Sequence, residues 1–120
     1  MTRLATITLK GESGKKYEFS VYPRSDTFNA EGAVYLMTRR TVRPDGSGTH
    51  RGLYLGETDD LSDRPLNYER KPCLDRHGAN CICLLLEKDY ETRCAIETDL
   101  RHNYDPLCNL QAVASSQSSD

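Results

Sequence analysis

The sequence predicts an α+β domain: a small, mainly antiparallel β-sheet flanked by helices, with an extra β-hairpin at its N-terminal end. Three observations carry that prediction. The first half of the chain holds short stretches rich in Val, Leu, Tyr and Thr, separated by Gly-containing turns. A later run, Cys81-Ile82-Cys83-Leu84-Leu85-Leu86, is apolar throughout, as a strand covered on both faces is. After it, Ile96, Leu100 and Tyr104 recur at helical spacing and predict the buried stripe of a helix.

Ala5 to Leu9 alternates and reads as the first strand, and Gly11 to Lys16 as a turn. Tyr17, Phe19 and Val21 then fall on one face of a second strand. A loop from Pro23 to Ala30 leads to Ala33-Val34-Tyr35-Leu36-Met37. This run and Gly52-Leu53-Tyr54-Leu55-Gly56-Glu57-Thr58 read as a hairpin about Arg43-Pro44-Asp45-Gly46-Ser47-Gly48, with Asp-Gly at its centre. A turn centred on Pro44-Asp45 sets Tyr35 opposite Tyr54, and one centred on Asp45-Gly46 still leaves both on one face. An odd-length loop or a bulge would separate them.

Thr58-Asp59-Asp60 offers caps for a helix through Leu61 and Arg64. Pro65 interrupts that helix, at a cost of ~3 kcal/mol or a kink, so it either breaks after one turn or restarts there. Pro72 suits the first turn of a short helix from Cys73 to His77, closed by Gly78. Asp89 caps the helix running from Tyr90 to about Tyr104, and Pro106 stops it. Glu97 stands at the edge of that helix's apolar stripe, from where it is expected to reach the tyrosine face of the hairpin. The organisation is thus a hairpin extension over 1–30, a main domain over 31–110, and a Ser-rich disordered tail over 111–120.

At 120 residues the chain is one domain with room for a real core. Its formal net charge of −2 gives no global attraction to nucleic acid, so any such binding must use a local patch. The hairpin tip supplies a candidate, with Arg39, Arg40, Arg43, His50 and Arg51 near two glycines and a proline. It reads either as a basic finger for a phosphate backbone or as a solvated loop. No apolar run approaches membrane-spanning length, and no apolar leader follows Met1. The five cysteines are odd in number, which with no secretion signal predicts reduced thiols in a cytoplasmic protein. Cys73, His77, Cys81 and Cys83 match no common zinc spacing, and the cysteines read as structural thiols.

Two tyrosines on one hairpin face, then a glycine, a helix and an arginine, form an ordered set that resembles the GIY-YIG nuclease family. Ala33-Val34-Tyr35 stands at the family's first tripeptide and Tyr54-Leu55-Gly56 at its second. Arg64, ten residues after Tyr54, stands at the family arginine, and Tyr68 at a Tyr-or-His position one turn later. Glu97 looks like the family's metal-binding glutamate and Asn109 like its closing asparagine. The resemblance implies a DNA endonuclease that uses Mg²⁺ or Mn²⁺. Glu97 would ligate the ion, Arg64 would clamp phosphate, one tyrosine would act as base beside the other, and Tyr68 would sit by the leaving group. Gly56 and Asn109 would support the site, and Arg39, Arg40, Arg43 and Arg51 would bind DNA. The alternative is a non-catalytic nucleic-acid- or protein-binding module on the same fold. A small zinc-stabilised interaction domain is a further rival.

Overall fold

The computed structural model describes residues 3–63 and 70–109. Its strands are β1 Ala5–Lys10, β2 Lys16–Pro23, β3 Ala33–Val42, β4 Gly48–Thr58 and β5 Cys81–Leu86. Among the described residues its helices are α1 Lys71–Arg76 and α2 Tyr90–Arg101, and residues 107–109 are also helical. The strands form one antiparallel sheet in the order β1-β2-β5-β3-β4. The predicted class, a small antiparallel sheet flanked by helices, is the class observed. The all-apolar β5 is its centre: Cys83 is paired with Val21 of β2 on one side and Leu36 of β3 on the other. The N-terminal hairpin is thereby built into the sheet.

Alternation along the strands divides the core in two. Tyr35, Met37, Ile82 and Leu84 face one way, and Phe28, Leu61, Leu74 and Cys108 cover them. Val34, Leu36, Leu55, Cys83, Phe19 and Val21 face the other way, against Ile96 and Leu100 of α2. α1 and α2 therefore lie on opposite faces, with α1 on the tyrosine side.

The β3–β4 hairpin contains both irregularities capable of separating the tyrosines, and they cancel. Arg43 and Ser47 close a three-residue loop through Arg43 N–H to Ser47 C=O, 2.7 Å, and Gly46 N–H to Arg43 C=O, 2.9 Å. Gly46 takes the left-handed conformation that this loop requires, φ +91°. An odd loop alone would put Leu55, not Tyr54 or Gly56, opposite Tyr35. Met37 is paired with Tyr54, however, and Thr38 with Gly52, which leaves Leu53 as a bulge. That extra residue moves the partner of Tyr35 to Gly56 and returns Tyr54 to the face of Tyr35.

Caps account for the helices. Asp89 accepts from Thr92 N–H at 2.9 Å, as read from sequence. Pro72 lies in the first turn of α1, and Gly78 follows its end at φ +76°. α2 stops at Arg101, short of Tyr104, which is 40% exposed and leaves the predicted stripe. Arg93 takes its place at 2% exposure, because its Nε meets Glu57 Oε1 at 2.8 Å and its Nη1 meets Glu87 C=O at 2.9 Å. An arginine is buried at this cost only when its donors are met in this way. After β4, Asp60 Oδ1 accepts from Ser62 N–H at 2.9 Å and forms a turn where a helix start was expected. The rest of that expected helix lies outside the described residues.

The cysteines divide. Cys81, Cys83 and Cys94 are free, and burial pushes the Cys83 thiol up to about 12. Cys73 and Cys108 are joined in a disulfide, with Cα atoms 5.8 Å apart and a sequence separation of 35. This corrects the expectation of five reduced thiols. An odd count leaves room for a bonded pair, and packing of Leu107 and Cys108 into the cluster of Cys73 and Leu74 brings these two together. Among the described residues no helix is long and apolar enough to cross a membrane.

Candidate functional site

Tyr35 and Tyr54 lie side by side on the α1 face of the sheet, with ring centroids 6.1 Å apart and planes at 36°. Gly56 is the floor beneath them. A Cβ there would lie 2.8 Å from Tyr54 Cε2 and 3.0 Å from the Tyr35 hydroxyl. Only glycine lets both rings settle over the strand. Tyr35 is buried at 4% exposure, and Tyr54 is half-buried. The guanidinium of Arg70 stands over the Tyr54 ring, 5.6 Å from its centroid. That is cation–π distance, and it puts a fixed positive charge beside two phenols.

Asn109 closes the site from behind. Its Oδ1 accepts from Leu55 N–H at 2.8 Å and its Nδ2 donates to Leu55 C=O at 3.0 Å. Leu55 is the residue between Tyr54 and Gly56, on edge strand β4. One buried amide thus meets both backbone groups of an edge residue as a further strand would. The preceding residue, Cys108, is bonded to Cys73, three residues after Arg70. The disulfide therefore ties the segment carrying the clamp to the helix whose N-cap is Arg70.

Glu97 is placed elsewhere. α2 packs against the face opposite the tyrosines, so the expectation that Glu97 reaches the tyrosine face is not met. It lies near Arg101, whose Nη1 is 3.8 Å from its Oε2, and near Glu57. Burial holds its carboxyl above the usual range, Arg101 opposes that rise, and Glu57 adds to it. Glu57 follows Gly56 on β4 and is turned to the α2 side, so the edge strand separates the glutamates from the tyrosines.

Among the described residues no group of three or more His, Cys, Asp or Glu side chains is placed to hold a metal ion. Mg²⁺ needs fewer, since it takes one or two carboxylates and keeps water on its other positions. Glu97, with Glu57 beside it, fits that requirement in donor type. A divalent cation there would relieve the repulsion that helps raise the Glu97 carboxyl.

The structure thus brings Tyr35, Tyr54, Gly56 and Asn109 together and sets Glu97 across the sheet edge. Arg64 and Tyr68 lie outside the described residues. The basic finger is divided: Arg39 and Arg51 are paired on the tyrosine face, while Arg40 is paired with His50 on the other. Arg43 is held in the turn, its Nη1 3.4 Å from Ser47 Oγ. Sequence reasoning missed Arg70. Its signal is Pro72, which marks the first turn of α1 and so places Arg70 at the cap, next to the sheet.

Comparison with protein-family models, curated proteins and solved structures finds no match to this chain.

Proposed function

We propose that the chain is a metal-dependent endonuclease of the GIY-YIG type, hydrolysing DNA phosphodiester bonds. The observation that supports this most is the paired Tyr35 and Tyr54 rings over Gly56, with a guanidinium against one of them. Phosphodiester hydrolysis needs a positioned water, a cation on the phosphate, and stabilisation of charge in the transition state. Arg70 is a cation of the right shape, because a guanidinium can fork onto two phosphate oxygens. Arg64 has the same chemistry and belongs to the same proposal, as does Tyr68 beside the leaving oxygen. The tyrosine hydroxyls orient the water. A phenol with the ordinary pKa of about 10 is a weak base at neutral pH, so the base among them depends on the positive charge nearby. Glu97 is the residue that would hold Mg²⁺ or Mn²⁺, and the ion would supply Lewis-acid polarisation of phosphate and activation of water, acting from the α2 side across the edge of β4 from the tyrosines.

A non-catalytic DNA-binding module is the second reading, and the placement of Glu97 on the α2 side favours it. A cytoplasmic location belongs to the first proposal. Disulfides are unusual in that compartment, and the Cys73–Cys108 bond is shielded, with Cys108 wholly buried and Cys73 8% exposed. The deciding experiment incubates the purified protein with supercoiled plasmid and branched DNA, with Mg²⁺ or Mn²⁺ and with chelator. Metal-dependent nicking that Tyr54→Phe abolishes supports the endonuclease. DNA binding without nicking at any metal concentration leaves the binding module.

A further inference from the structure

Arg39 of β3 stands directly opposite Arg51 of β4. Opposed residues share a face, and like charges in that position repel. Both side chains are exposed, and neither has an ion-pair partner among the described residues. Among the described residues nothing repays that repulsion. An anionic partner outside the fold would.

The face they share is informative. Tyr35, Met37 and Arg39 are alternate residues of one strand, so Arg39 continues the tyrosine side, about 13 Å along the strand from Tyr35. Its side chain crosses Gly78, with Cδ 3.5 Å from where a Cβ would be. This brings it to the end of α1, where Arg76 and His77 stand. The nearby cations Arg24 and Lys71 are already engaged by Asp75, at 2.9 and 2.6 Å. The opposite face of the finger differs. Arg40 packs over Gly48 beside His50, whose imidazole is held below its usual range by burial and then by the Arg40 charge. His50 is itself bonded to Thr38, Nδ1 to Oγ1 at 3.0 Å.

We infer that Arg39, Arg51 and Arg76 form a one-sided docking surface for the phosphate backbone of duplex DNA, leading to the Tyr35–Tyr54 site, and that Arg40 takes no part in it. The inference rests on the nucleic-acid reading above and adds which side of the finger the duplex occupies. The partner is a phosphate polyanion because the cations are guanidiniums, made to fork onto phosphate oxygens, and because they lie in line with the proposed site.

The test compares Arg39→Ala/Arg51→Ala with Arg40→Ala in fluorescence-anisotropy titrations of a labelled duplex, in chelator, over a range of salt. The double variant should bind at least about tenfold more weakly and lower the salt slope by about two, one for each lost phosphate contact. Arg40→Ala should stay within about twofold of the parent with an unchanged slope. Arg39→Lys/Arg51→Lys should recover most of the affinity, and circular dichroism should show all variants folded. Equal losses in Arg40→Ala and the double variant, or none in either, overturn the inference. Competition by polyglutamate as effective as that by heparin, pointing to an acidic-protein partner, also overturns it. Plasmid cleavage is read separately. One-sided binding without cleavage removes the nuclease reading and keeps the surface, whereas cleavage unaffected in the double variant removes the surface and keeps the nuclease.

Discussion

The side chain of Asn109 is bonded to both backbone groups of Leu55, donating at 3.0 Å and accepting at 2.8 Å. Leu55 lies on an edge strand, so among the described residues no neighbouring strand is available to take over if the amide is lost. Asn109→Ala should therefore leave a buried N–H and a buried C=O unmet, at about 1–3 kcal/mol each, and lower stability by about 2–4 kcal/mol in urea unfolding. Asn109→Asp should cost at least as much at neutral pH, since a carboxylate accepts from the N–H but faces the C=O with a lone pair. A loss below about 0.5 kcal/mol in both variants would show that the clamp contributes little.

Gly56 tests the tyrosine pair directly. A methyl group there meets the Tyr54 ring at 2.8 Å, too close for any real Cβ contact. Gly56→Ala should displace one or both rings and destabilise the fold by about 1–3 kcal/mol, the usual range for overpacking. The chain has no tryptophan and seven tyrosines, so near-ultraviolet circular dichroism and tyrosine emission report the change without interference. Unchanged spectra with unchanged stability would mean that the rings are not held over Gly56.

The parts of this fold legible in the sequence are those set by local chemistry. Asp45-Gly46 marked the turn, Asp89 and Pro72 marked helix starts, and the apolar run of β5 marked a strand with neighbours on both sides. The bulge at Leu53 was not legible, because a bulge follows from pairing across the sheet and leaves no mark in the strand's own composition. Arg93 was missed because an apolar-stripe reading passes over a charged residue, whose burial depends on Glu57 and on the Glu87 carbonyl from other elements. The same applies to the site. Tyr35, Tyr54 and Gly56 could be named from the hairpin, but their shared face depends on the Leu53 bulge offsetting the odd loop, and the side of the sheet reached by Glu97 is fixed by how α2 crosses back over it.

The Cys73–Cys108 bond links α1 to the segment that carries Asn109 and closes a loop between positions 35 apart in sequence. Loop-closure entropy for that length gives ~3–4 kcal/mol of stabilisation. Cys73→Ser/Cys108→Ser should lower the urea midpoint by roughly 1 M or more. Dithiothreitol should lower the parent to the same midpoint and leave the double variant unmoved. Because both elements border the tyrosine site, the variant should also lose DNA cleavage before it loses fold. A parent insensitive to reductant at every urea concentration would show that the two thiols are not bonded in solution.

Glu97 gives the prediction that separates the metal from the fold. Its carboxyl is held above the usual range, first by burial, with Glu57 adding to the rise against Arg101. A raised carboxylate pKa means that ionisation is less favourable in the folded chain than in the unfolded one. The stability contributed by Glu97 is therefore fully present below the unfolded value, near 4.5, and is lost as pH rises through the folded value. Glu97→Gln keeps the shape and removes the charge, so it should be at least as stable as the parent at pH 7. That advantage should shrink as pH falls through the same window. Millimolar Mg²⁺ should raise the unfolding midpoint of the parent, because an ion bound only by the folded state stabilises it by mass action. It should leave Glu97→Gln unmoved. DNA affinity in chelator should hold or rise with a negative charge gone, and cleavage should fall by several orders of magnitude. Urea titrations at pH 4 to 8 with and without Mg²⁺, beside plasmid nicking, read all of these together. If Mg²⁺ shifts both proteins equally, or the variant nicks at near the parent's rate, the ion is held by other residues and Glu97 is an ordinary half-buried helix carboxylate.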